Sequence, residues 1–214
     1  MQIQGIVGAP AAQSLQPGTS AQARLGQLGD AIISELHGQY YEGAYRKTRF
    51  GGSMQALLAT ATIAGLGTTV TGTTVLYNPP GNSNNVVIEK FGVGFVLAPA
   101  APLIYGLATG FSTTALSGTL TSLTPKSKNI GSGIQPTAGL VASASVTLPV
   151  AATVDQVLGH LDTGAVTTVT NVASLFDIQG SIILPPGGFC HLWTSAALLA
   201  SAHMASFQWE EVPI

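Results

Sequence analysis

Charge is what this chain has least of. Seven Lys and Arg and nine Asp and Glu make up 7% of its 214 residues, against roughly 25% in an ordinary soluble domain. The shortage is uneven. Arg24, Asp30, Glu35, Glu42, Arg46, Lys47 and Arg49 fall in the first fifty residues, while 51–88 and 91–125 hold no charge. With a net charge of −2 there is no basic field to neutralise phosphates, so nucleic acid is not an expected partner. A free-standing soluble protein keeps itself dispersed with surface charge. A chain that omits it is expected to work packed against its own copies or another protein, as a structural subunit.

Cysteine is nearly absent too. Cys190 is the only one, which excludes an internal disulfide. It sits in the apolar run Gly188-Phe189-Cys190-His191-Leu192-Trp193 and reads as a small buried hydrophobe. The four histidines, His37, His160, His191 and His203, include no pair at helical metal spacing and none beside a Cys or Asp in a ligand motif, so neither metal nor cofactor is expected. His160 and Asp162 share a strand face, which fits a solvated strand end. Catalytic patterns are missing as well. There is no Gly-x-Ser-x-Gly elbow, no Walker-type loop and no His-Glu-x-x-His. Gly92-Val93-Gly94 lacks the third glycine and following helix of a dinucleotide loop. Glu210 and Glu211 are adjacent on an expected strand and point to opposite faces, unlike two acids facing one substrate. The chain is not expected to be an enzyme.

Membrane signals fail on inspection. Met1-Gln2-Ile3-Gln4-Gly5 has no basic region leading an apolar run, so it is not read as a signal peptide. Residues 91–110 are uncharged over a length that spans a bilayer, yet they hold Pro99, Pro102 and four glycines. These suit two strands joined by an Ala98-Pro99-Ala100-Ala101-Pro102 turn. No helical periodicity is sustained for three turns.

What is present is Ala, Gly, Ser, Thr and Val, 46% apolar overall, with a mean hydropathy of +0.41. Residues 1–28 (Gly8-Ala9-Pro10, Gln16-Pro17-Gly18-Thr19-Ser20) bury too little to fold alone and read as an N-terminal arm, either disordered or ordered on a neighbour. The remainder, 29–214, reads as one β domain. Residues 29–50 look like a strand pair about His37-Gly38. Tyr40, Tyr41 and Tyr45 there are either a tyrosine-lined sheet face or interface anchors. With the cationic cluster Arg46, Lys47 and Arg49 they form the candidate contact set, although that cluster also fits a solvated strand end. Residues 51–71 read as a strand.

Residues 73–91 carry the clearest hairpin signal, two β runs flanking Asn78-Pro79-Pro80-Gly81-Asn82-Ser83-Asn84. Further strands are expected at 91–98, 103–110, 140–148, 153–161, 165–170, 181–184, 188–194 and 203–212. Phe207 and Trp209 should lie on one buried face of the last strand and Gln208 and Glu210 on the other. Leu175-Phe176-Asp177-Ile178-Gln179 reads as a short connector, and 196–202 as one helical turn or a loop. Residues 121–137, with Lys126 and Lys128, read as the most exposed tip. Regular short strands with Gly and Pro punctuation imply an all-β sandwich or barrel.

Three stretches resemble structural proteins of tailed bacteriophages: Gly29-Asp30 through Ser34-Glu35-Leu36-His37-Gly38 to Tyr40-Tyr41-Glu42; Leu76-Tyr77-Asn78-Pro79-Pro80-Gly81 leading to Asn85-Val86-Val87-Ile88; and Ile183-Leu184-Pro185-Pro186-Gly187-Gly188 through Trp209-Glu210-Glu211. These are turn and strand patterns with no chemical signature, and the resemblance carries over no functional residue. It implies a virion protein with a jelly-roll-like β sandwich that decorates or cements a capsid shell, sited on the capsid surface. Its partners would be its own copies, as a homo-oligomer such as a trimer, and the major capsid protein or other virion proteins. The alternative is a tail, baseplate or fibre component that binds a host receptor or glycan. The absence of aromatic residues from 121–137 weighs against it. The major shell protein itself is disfavoured by the lack of a long helix.

Overall fold

The computed structural model describes residues 5–6, 23–24, 40–54, 66–70, 73–95, 102–143, 145–161, 172–195 and 203–214. The chain divides into two compact units, Met1–Tyr41 and Glu42–Ile214. In the first unit, β1 (Gly5–Ile6) pairs in parallel with β2 (Ala23–Arg24). The remainder of 1–28, the expected strand and turn over 29–39, most of the strand expected at 51–71, the strand at 165–170 and the 196–202 segment lie outside the described residues.

A short helix, α1 (Tyr41–Arg46), leads into β3 (Arg49–Ser53), which corrects the strand expected before Arg46. Two bonds close its end: Lys47 N–H donates to Ala44 O and Thr48 N–H to Gly43 O, at 3.1 and 3.0 Å. Lys47 takes the left-handed conformation, φ 65°, that this helix stop requires. A β-favouring tyrosine run thus yields to a terminating geometry that local propensity does not register.

Twelve more strands follow: β4 (Thr69–Val70), β5 (Thr73–Tyr77), β6 (Asn84–Phe95), β7 (Leu103–Phe111), β8 (Ser117–Thr119), β9 (Lys126–Ser127), β10 (Gly139–Ser143), β11 (Ser145–Thr147), β12 (Thr153–Leu161), β13 (Val172–Leu184), β14 (Gly188–Thr194) and β15 (His203–Pro213). They form a front sheet in the order β10-β5-β14-β7-β12, a back sheet in the order β13-β6-β15-β3-β9, and a small cover sheet, β4-β11-β8. The antiparallel pairs β5·β14, β6·β13, β7·β12 and β8·β11 are nested, outermost to innermost along the chain. A ladder of nested pairs wound into two packed sheets is the jelly-roll arrangement. The protein is an all-β sandwich of that kind. β15 and β3 extend its back sheet on the far side of β6.

The main core lies between front and back sheets, around Trp209, Phe91, Phe207, Leu107 and Leu192. β15 alternates as expected, with Phe207 and Trp209 buried and Gln208 and Glu210 half-buried. β5 and β14 do not alternate, because these inner strands of the front sheet are buried on both faces. Its second face packs Val75, Ala108, Val141 and Phe189 against Val146, Leu148 and Ala152 from the cover and its flanks.

The 73–91 hairpin does not form. β5 and β6 are in opposite sheets, and Asn78-Pro79-Pro80-Gly81 is a corner between them. The cause is Asn78, fully buried. Its Nδ2 donates to Asn84 O and Leu184 O, at 2.8 and 2.9 Å. Its N–H donates to Gly188 O and its carbonyl accepts from Gly187 N–H, both at 2.8 Å. Leu184-Pro185-Pro186-Gly187-Gly188 is thus a second corner, carrying β13 of the back sheet into β14 of the front, and one asparagine ties the two together. Gly187 has φ 93°, and a Cβ there would lie 2.2 Å from Ser112 O. The prolines lack the N–H groups that a ladder across these loops would use. β6 and β7 likewise lie in opposite sheets.

Residues 175–179 belong to strand β13 and are not a connector. The irregularity there is a wide bulge between Asp177, opposite Lys90, and Ile182, opposite Ile88. Gln179 and Gly180 take positive φ within it. The loop 121–137 is only partly a tip. β9 pairs with β3, Leu123 N–H donates to Leu140 O, and Ala142 N–H donates to Thr121 O. The exposed apex is near Ile130, 88% accessible. Among the described residues no helix is long and apolar enough to cross a membrane.

Candidate interaction surface

The cover buries the outer face of the front sheet around Val75, Ala108, Val141 and Phe189, while Val154 and Val157 on β12 stay exposed. Along the back sheet the outward positions run from Leu175, opposite Gly92, and Met204, opposite Gly94, through Lys90, Asp177 and Gln208, to Ile183, Glu210 and Val212. Leu175 is 64% and Ile183 55% exposed, and Met204 and Val212 are also open to solvent. Glycine flattens this face. A Cβ at Gly92 would meet Ser206 Oγ at 2.6 Å, and one at Gly51 would meet the Lys128 side chain.

The middle and one end of the face gather an uncommon share of the chain's few charges. Glu89 occupies a bulge in β6, between Ile88 and Lys90, against both neighbouring strands. It accepts a 2.8 Å bond from Arg49 Nε and is ion-paired with the same guanidinium. Thr48 Oγ1 donates to Glu210 Oε1 at 2.7 Å. α1 lies over this group, since the Cβ position of Gly43 is within 2.8 Å of Arg49 and Glu210 side-chain atoms. Burial pushes the Glu89 carboxyl above its ordinary value, against the pull of Arg49. Burial also draws the Lys128 ammonium down, with Arg49 acting in the same direction. Arg49, Lys90 and Lys128 stand among Glu89, Asp177 and Glu210, so the face has no strong field of either sign.

The expected contact residues scatter. Tyr45, Arg46 and Lys47 are exposed at the end of α1 and after it, and Tyr40 is half-buried. Of Tyr41 only the backbone, at the start of α1, is described. Arg49 differs from these: it is 3% exposed and paired with Glu89. Its sequence position beside Arg46 and Lys47 suggested a solvated cluster, and only the strand register shows that it reaches a carboxylate forty residues on.

All four outer strands of the two large sheets are blunted against strand addition. β12 carries two register irregularities and β13 the wide bulge. β9 is two residues long and flanked by Lys128. β10 is bridged at Val141 by Ser122.

Chemistry is sparse here. Among the described residues no three His, Cys, Asp or Glu side chains cluster to hold a metal. Burial raises the Cys190 thiol well above its ordinary value, with Asp155 adding to the effect. His160 is exposed on β12; its expected companion Asp162, like His37, lies outside the described residues. A shallow pocket of about 190 Å³ lies between Tyr77, Pro125, Pro136 and Leu140, with no charged group in its lining.

Two histidines, His191 and His203, are buried with no local sequence signal of it. His203, on β15 opposite Phe95, has neither ring nitrogen hydrogen-bonded, and burial lowers its pKa to about 4. Below its ordinary 6.5 the unfolded chain takes the proton first. Stability is therefore expected to fall from about pH 6.5 down to about pH 4, by about 3 kcal/mol in total. Urea denaturation across that range checks it: His203→Phe should remove this component of the slope.

No protein-family model matches the chain, and neither curated proteins nor solved structures give a match.

Proposed function

We propose that this chain is a virion structural protein, a capsid decoration or cement subunit. It would adhere to the shell and to its own copies through the outer face of the back sheet. One observation carries the reading: a face with exposed Leu175, Ile183, Met204 and Val212, whose cations and carboxylates already neutralise one another. Such a face gains by being covered and asks no strong charge of its partner. The sandwich fold with blunted edges and the phage-like turn and strand patterns support the same reading. Multivalency would turn weak contacts per subunit into firm attachment.

The test uses purified protein and particles stripped of it. Light scattering should give an oligomer. Re-addition should restore resistance to heat and osmotic shock, at high copy number on heads. Leu175→Lys with Ile183→Lys should weaken rebinding by at least tenfold, since each replacement forfeits the burial of a large aliphatic side chain, and should leave the unfolding midpoint unchanged because both are exposed in the subunit. Retention on tails at low copy number would favour a receptor-binding tail component instead. A monomer with no affinity for any particle would overturn the proposal.

A further inference from the structure

The apolar layer between front and cover sheets holds a buried histidine. His191 on β14 stands between Phe189 and Trp193 on the same strand face, opposite Val75 of β5 and Ala108 of β7. Phe189, Val75 and Ala108 are core members of this layer and Trp193 packs against it. His191 is 1% exposed. Its Nδ1 lies 2.8 Å from Leu192 O, which assigns the proton to Nδ1 and leaves Nε2 as an acceptor without a donor.

The groups around the ring offer a charge nothing. β5 contributes Val75 and Tyr77, β7 Ala108, and β10 Val141. The cover and its flanks contribute Val146, Leu148, Ala152 and Leu116. Among the described residues of this layer Tyr77 is the only other titratable side chain, and none is charged. The cover is weakly built, since β4, β8 and β11 are two or three residues long and, among the described residues, pair only with one another. Lifting it breaks few backbone bonds, whereas opening the sandwich breaks the long β6, β13 and β15 ladders.

We propose that the cover sheet is an acid-released flap on the front sheet, with His191 as its trigger. While the flap is closed the imidazole stays neutral, because burial opposes its charging. Once the flap lifts, the ring meets water and takes a proton. Below about pH 6.5 each further unit of acid then favours the open form by up to tenfold. Opening uncovers Val75, Val141 and Phe189 as a second apolar face.

Hydrogen exchange of the whole protein between pH 7.5 and 5, corrected for the intrinsic pH dependence of exchange, tests this. Protection in 117–119 and 145–148 should fall at least tenfold while that of β6 and β15 holds. His191→Leu should hold the cover's protection constant with pH, and His203→Phe should not. The proposal is overturned if cover and back sheet lose protection together, if the cover's protection does not change with pH, or if it falls equally in His191→Leu. Should that variant not fold, NMR titration of His191 in the native chain decides. The ring should charge only as the cover opens, and charging with the cover still protected would overturn the flap. None of these outcomes depends on particle binding, so the flap and the cement reading stand or fall separately.

Discussion

Replacing Glu211 with alanine is expected to destabilise the protein by about 3 kcal/mol, because the carboxylate is the one acceptor for several converging donors. Its Oε1 accepts from Thr137 N–H and Ala138 N–H, both at 2.9 Å, and from Trp209 Nε1–H at 3.3 Å. Its Oε2 accepts from Thr137 Oγ1–H at 2.6 Å and shares the Thr137 N–H at 3.0 Å. Thr137 Oγ1 accepts in turn from Asn82 Nδ2, which also bonds Asn78. Glu211 therefore fastens the end of the 121–137 loop, and through it the β5–β6 corner, to β15. Without it, Ala138 N–H and the Trp209 indole stay buried and unpaired, at about 1–3 kcal/mol each, while Thr137 at the surface can turn to water. Glu211→Gln keeps the shape but aims an amide N–H₂ at one of the donors, and should cost about 2 kcal/mol. Urea midpoints check both. The alanine variant should also show faster exchange over 131–138, and a midpoint within error of the native one would contradict the clamp.

The second large effect lies at Arg49. Arg49→Met is expected to cost about 3–5 kcal/mol at neutral pH, because it leaves Glu89 buried and charged without its partner. The deficit should shrink on acidification. Burial already holds the Glu89 carboxyl above its ordinary value, and losing the guanidinium raises it further. A carboxyl raised in the native state binds its proton more tightly there than in the unfolded chain, so lowering the pH through that value restores native stability in the variant. Pairing Arg49→Met with Glu89→Gln should recover most of the loss at pH 7. A double variant as unstable as the two single effects summed would show that the residues do not act as a pair. α1 and Gly43 lie over this group, so proteolysis near 42–47 should quicken in Arg49→Met.

The candidate face was only partly legible beforehand. Leu175 and Ile183 were divided between an expected connector and a four-residue strand, because the bulge at 178–181 breaks the alternation that would have joined them. Arg49 looked solvated beside Arg46 and Lys47, since no local pattern announces a partner at residue 89. For Glu211 the local signal goes halfway: alternation sets it on the face opposite Glu210, hence on the Trp209 side, but apart from the Trp209 indole its donors come from a loop more than seventy residues away. His191 sat in a recognised apolar strand, yet nothing nearby in sequence tells that both faces of that strand are covered.

By itself the sequence determined the fold class and most strands. Period-two alternation, β-branched runs and Gly-Pro punctuation are local properties, and 153–161 and 188–194 are strands with the bounds those signals set. The scarcity of charge likewise belongs to composition. Only the tertiary structure decided which strands pair. Asn78-Pro79-Pro80-Gly81 has the residues of a hairpin turn and became a corner between sheets, because the bonds that fix it come from Leu184, Gly187 and Gly188. Partners more than a hundred residues apart are chosen by the free energy of the closed sandwich, which no short window of chain contains.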